Sequence, residues 1–89
     1  KHAISATDFT MRPNPTSDMV YVEFQSTEAK VVQVRVTDQL GNMMIQKRIS
    51  CVPGNNTELL QTDKLPSGVY NVTITDKEHI ATKKLVKIK

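Results

Sequence analysis

Strict alternation of apolar and polar residues, repeated in three separate stretches, is the feature that most limits how this chain can fold. In "SDMVYVEFQS" (Ser17 to Ser26) Val20, Val22 and Phe24 share one parity, and Glu23 and Gln25 take the other. In "KVVQVRVTD" (Lys30 to Asp38) Val32, Val34 and Val36 alternate with Gln33, Arg35 and Thr37. In "GVYNVTITD" (Gly68 to Asp76) Tyr70, Val72 and Ile74 alternate with Asn71, Thr73 and Thr75. Successive side chains of a strand point to opposite faces, so each stretch reads as a half-buried β-strand rich in β-branched residues. No window carries a helical stripe at 3.6-residue spacing.

The punctuation between these stretches fits the same reading. "TDQLGN" (Thr37 to Asn42) predicts a hairpin with Gly41 at positive φ, a backbone region in which a Cβ is unfavourable. "VPGNN" (Val52 to Asn56), "LPSG" (Leu65 to Gly68) and "DKEH" (Asp76 to His79) are further turns. "RPNP" (Arg12 to Pro15) holds two prolines that cannot donate ladder bonds, which predicts an extended bend after a short first strand at Phe9–Arg12. Weaker strands are expected at about 43–50, where Lys47 breaks the alternation, and at Thr57–Thr62, where adjacent Leu59 and Leu60 leave a helical turn open. Turns every eight to twelve residues and about seven strands predict an all-β fold, a small antiparallel immunoglobulin-like β-sandwich.

Size and charge narrow the rest. A chain of 89 residues can bury one core and not two. Twelve basic against nine acidic residues give a formal charge of only +3, and the sole basic cluster, "KKLVKIK" (Lys83 to Lys89), has aliphatic neighbours. A nucleic-acid binder would concentrate charge on one face beside stacking aromatics, so that class is set aside. No run approaches the roughly eighteen apolar residues of a membrane-spanning helix. The single cysteine, Cys51, excludes an intrachain disulfide and reads as a partly buried strand-end residue.

No catalytic or metal constellation emerges. His2 and His79 stand at no metal-ligand spacing from each other or from Cys51. Glycine-rich phosphate loops are missing, and Asp38, Asp63 and Asp76 fall at strand ends, where turn capping is the simplest role. "NNT" (Asn55 to Thr57) and "NVT" (Asn71 to Thr73) match the glycosylation acceptor pattern, which also arises by chance. No cofactor is expected.

Four pieces in order, "RPNPTSDMVYVEF", "VTDQLGNMM", "LPSGVYNVTI" and the closing "KKLVKIK", resemble the C-terminal sorting domain of type IX secretion cargo, type A class. The resemblance covers almost the whole chain; each motif alone is weak, and their order and spacing carry the match. The family's motif positions fall on Pro13, Asn14 and Pro15; on Asp38 and Gly41; on Leu65, Gly68 and Tyr70; and on the terminal Lys84, Leu85, Val86, Lys87, Ile88 and Lys89.

The resemblance implies a non-catalytic sorting signal, residues 8–89, behind a linker remnant at 1–7. It would direct a fused N-terminal cargo from the periplasm to the type IX secretion translocon and shuttle. A cell-surface sortase would then usually remove it, leaving the cargo at the outer-membrane surface or outside the cell. The alternative is a retained accessory β-sandwich used for adhesion, carbohydrate binding or docking. Pairing of edge strands leaves a homodimer open. Each motif position also has a plain structural role: turn glycines at Gly41 and Gly68, packing at Tyr70, strand ending at Pro13 and Pro15. The tail has two readings. Lys83, Lys84, Lys87 and Lys89 guard an edge strand, or the last residues meet a receptor, the unpaired backbone adding to a partner's sheet while lysines steer it to an acidic surface.

Overall fold

A computed structural model describes residues 9–76 and 79–89. Seven strands form: β1 (Thr10–Arg12), β2 (Met19–Ser26), β3 (Lys30–Thr37), β4 (Met43–Cys51), β5 (Gly54–Gln61), β6 (Gly68–Thr75) and β7 (Ile80–Lys87). They build two antiparallel sheets, ordered β1-β2-β5 and β4-β3-β6-β7. No helix forms among the described residues, so none there is long and apolar enough to cross a membrane.

The alternation dictates the core. Val20, Val22 and Phe24 of β2 meet Val32, Val34 and Val36 of β3 and Tyr70, Val72 and Ile74 of β6 in one buried cluster, joined by Phe9, Leu60 and Leu85. Each fully buried Val, Leu or Phe contributes roughly 1.5–3 kcal/mol, so this single layer is the main source of stability. Two ambiguous stretches resolve as strands. Leu60 of β5 is buried while Leu59 is half-exposed on the other face, which excludes the helical turn. Lys47 does not break β4: Ile45, Lys47, Ile49 and Cys51 keep one parity facing inward. Its long stem crosses the gap between the sheets, and the ammonium donates to Leu59 O at 3.0 Å and pairs with Glu58 at 2.6 Å.

The ends of the sandwich differ. At one end lie the loops 27–29 and 52–53, with Asp76 and His79. There Asp76, its side chain 3% exposed, pairs with Lys30 and accepts from the His79 N–H at 2.6 Å. Cys51 is buried beside them, and desolvation, with the Asp76 charge adding and the Lys30 charge opposing, pushes its thiol up. The thiolate is the reactive form. Native chain is therefore expected to resist a thiol reagent such as iodoacetamide until it unfolds; stoichiometric labelling in native buffer on mixing would show an open site instead. At the other end come the loops 13–18, 38–42 and 62–67 and the last residues of the chain, as the pairings Met19↔Gln61, Thr37↔Asn71 and Gly68↔Lys87 require.

The linker remnant expected at 1–7, with His2 in it, lies outside the described residues. β1 runs antiparallel to β2 from the level of Glu23 to that of Tyr21, toward the 13–18 loop. The principal extents are 39 × 22 × 19 Å.

Candidate recognition site

The motif positions, scattered through the sequence, gather at that second end. The Asp38 hairpin is the simplest piece. The Asp38 carboxylate accepts from Leu40 N–H at 2.9 Å and Asn42 N–H at 2.8 Å through Oδ1, and from the Asn42 side-chain amide at 2.9 Å through Oδ2. These bonds, the Asn42 side chain first, hold its carboxyl below the usual carboxylate range. Because the folded pKa is depressed, the contribution is present above the unfolded value and fades as pH falls through the folded one. Gly41 supplies φ of 91°, as the "D-x-x-G" pattern predicts. With no atom within 4 Å of its Cβ position, conformation and not space requires glycine there. The turn lifts Leu40 to 89% exposure.

"LPSG" forms a second corner. Leu65 is buried, its N–H donating to Thr62 O at 3.0 Å. Tyr70 is buried at the start of β6, and its hydroxyl donates back to Pro66 O at 2.5 Å. A tyrosine tied to the backbone a few residues upstream also marks the corner of immunoglobulin-type sandwiches. A Cβ on Gly68 would meet the Tyr70 ring at 4.0 Å, ordinary contact.

The tail differs most from expectation. Strand β7 puts Ala81, Lys83, Leu85 and Lys87 on its inner face and Thr82, Lys84 and Val86 outward, with Ile88 following in the exposed set. Lysine is therefore not uniformly the guard. The Lys83 ammonium sits 5.4 Å from the centre of the Phe9 ring, a cation–π contact. Lys87 is 4% exposed, and its ammonium donates to Leu65 O at 2.8 Å. Conversely Val86 and Ile88 are 37% and 51% exposed. Alternation predicts two faces; it cannot tell that a lysine of the inner parity will stay inside once a carbonyl waits for it.

The backbone of the tail is also not free. The segment from Pro13 to Thr16 lies along the outer edge of β7. Asn14 donates its side-chain amide to Lys84 O at 3.0 Å and accepts from Val86 N–H at 3.0 Å. Thr16 N–H donates to Val86 O at 2.8 Å, and Ile88 N–H donates to Thr16 O at 2.8 Å, a parallel bridge. Both Pro13 and Pro15 follow cis peptide bonds. They do not simply end a strand: between and after them stand an amide side chain and a backbone that pair where the prolines cannot.

Thr16, buried, also donates its hydroxyl to Met19 O at 2.5 Å and stands 3.4 Å from the Thr62 hydroxyl. Sequence reasoning missed Thr16 and Thr62. The first could have been suspected as a residue with a free N–H directly after Pro-Asn-Pro; the second carries no local signal.

These contacts tie Asn14, Leu65 and Tyr70 to the last strand within one corner, with Asp38 and Gly41 at the neighbouring hairpin. No group of three or more His, Cys, Asp or Glu among the described residues is placed to hold a metal. The arrangement can bind and display; it presents no nucleophile with a base.

A comparison with curated proteins gives no match. Residues 10–89 match the model of the secretion system C-terminal sorting domain, so this chain belongs to the type IX secretion C-terminal sorting domain family and is a C-terminal secretion sorting signal of a non-catalytic domain family.

Proposed function

We propose that this domain is the export address of a cargo fused before it, carried from the periplasm to the type IX translocon and then removed by a cell-surface sortase. Family membership implies interaction with the secretion machinery and export toward the cell surface. The observation that supports the finer reading is the gathering of the motif positions at one end of the sandwich, the end toward which β1 runs. A partner can reach that end because β1 begins at the level of Glu23, well along β2 from Met19. Lys84, Val86, Ile88 and Lys89 are the contacting side chains; Leu85 and Lys87 hold the strand from beneath.

The accessory-module reading lacks its usual platform. Phe9, Phe24 and Tyr70 are buried, and Tyr21 is the one exposed aromatic among the described residues. A flat sugar-binding face normally shows several.

The test is a fusion to an inert periplasmic reporter in a type IX-competent strain. The unmodified fusion is expected at the surface or in the medium, and deletion of Leu85–Lys89 is expected to trap it in the periplasm. That deletion also removes core Leu85. The pair Ile88→Glu and Lys89→Glu leaves Leu85 and Lys87 in place, and it too is expected to retain the fusion. Normal export of this folded double variant would remove the tail from the recognition surface.

A further inference from the structure

A strand at the edge of a sheet normally offers a row of unpaired N–H and C=O groups to any partner that can add a strand. In β7 that row consists of the N–H and C=O groups of the outward residues. From Lys84 to Ile88 it is occupied: Lys84 O and Val86 N–H by the Asn14 side chain, Val86 O and Ile88 N–H by the Thr16 backbone. Asn14 does what a neighbouring strand would do, because its amide carries one donor and one acceptor side by side. Thr16 is anchored from below, buried against Thr62 and bonded to Met19 O, so the segment is fixed to the opposite sheet and not only to β7.

What remains outside is a row of side chains. Val86 stands opposite Val69 on the outer face of the four-stranded sheet, with Lys84 before it and the exposed Ile88 and Lys89 after it along the chain. Across that outer face the charged residues are Arg35, Arg48 and Lys84, and no described carboxylate shares it. Of these only Lys84 neighbours Val86; Arg35, level with Thr82, lies two strands away, and Arg48, level with Ile80, lies three strands away.

We propose that Asn14 and Thr16 form a clasp that seals the edge of the last strand. The export machinery then reads the tail as a fixed row of side chains, Lys84, Val86, Ile88 and Lys89, and not as a donated strand. The occupant is a machinery protein with an apolar cleft rimmed by carboxylates, the complement of two exposed aliphatics between lysines. The assignment of the partner rests on the sorting reading above; the clasp itself does not.

Two measurements decide it. In amide hydrogen exchange followed by NMR, Val86 and Ile88 are expected to be protected like the central strands. Asn14→Ala should speed exchange at Val86 by about five- to tenfold, the effect of one lost hydrogen bond. Asn14→Asp keeps an acceptor for Val86 N–H and loses only the donor to Lys84 O, so it should speed exchange at Val86 less than Asn14→Ala does. Fast exchange at Val86 and Ile88 in the unmodified chain overturns the clasp, and this outcome does not depend on any variant folding.

In the second, Thr16→Cys with Lys87→Cys places thiols on bridge partners, whose Cα atoms lie about 4.8 Å apart, within disulfide range. With the strap cross-linked, a reporter fusion is expected to be exported as well as each single-cysteine control. Export of both controls but retention of the cross-linked form shows that the strap must open, and overturns the fixed-row reading. Retention of the unmodified fusion overturns the sorting reading and the partner with it, while the exchange result judges the clasp separately.

Discussion

Lys87→Ala is expected to lower unfolding stability by about 3 kcal/mol, and Lys87→Met by only about half of that. The alanine removes two things: the aliphatic stem packed in the corner between β7 and the 62–67 loop, and the donor that satisfies the buried Leu65 carbonyl. Methionine restores most of the stem and leaves only the carbonyl unpaired. Urea unfolding of the two variants beside the unmodified domain measures the split. Equal stability of all three would show that the ammonium is solvated and the corner loosely closed.

The same pair also separates scaffold from address. Because Lys87 points inward, folded Lys87→Met in a reporter fusion is expected to be exported normally. Retention of a folded methionine variant would mean that the ammonium itself is read, and the outward row would need to include it.

The second large effect is expected at the opposite end. Asp76→Ala should cost about 3–5 kcal/mol, the usual consequence of removing one member of a buried ion pair. The two side chains are 18% and 3% exposed for Lys30 and Asp76, so solvent cannot replace the lost carboxylate. The same carboxylate accepts from the His79 N–H just before β7. Asp76→Asn should fall between, because the amide oxygen can still cap the turn while the charge is gone. Lys30→Met with Asp76→Asn should recover part of the loss by removing both charges together. A double-mutant cycle that returned simple additivity would show that Lys30 and Asp76 are not coupled.

The two predictions bear differently on export. Damage at Asp76 unfolds the domain far from the recognition end. A variant there that remains folded at growth temperature should still be exported. Damage at Lys87 alters the floor beneath the exposed row, and the methionine variant is the one that spares it.

Much of this architecture was legible in the residues. The parity of Val20, Val22 and Phe24, of Val32, Val34 and Val36, and of Tyr70, Val72 and Ile74 fixed strands and inner faces, because a one-residue slip would turn each set to water. The Asp38–Gly41 turn was equally legible, since its carboxylate caps neighbours within four residues and its glycine answers a local dihedral. Order and spacing of the four motif pieces carried the family resemblance. What sequence could not give was any contact made across the fold. Asn14 meets Lys84 and Val86 seventy and seventy-two residues away, and Lys87 meets Leu65 across twenty-two. Alternation assigns a residue to a face but says nothing of what waits there. For the tail this decided the matter: the sequence made it a strand and made part of it basic. Only the packing of the two sheets turned Lys87 inward, left Val86 and Ile88 in solvent, and laid the Pro13–Thr16 strap over the edge that alternation alone would have left open.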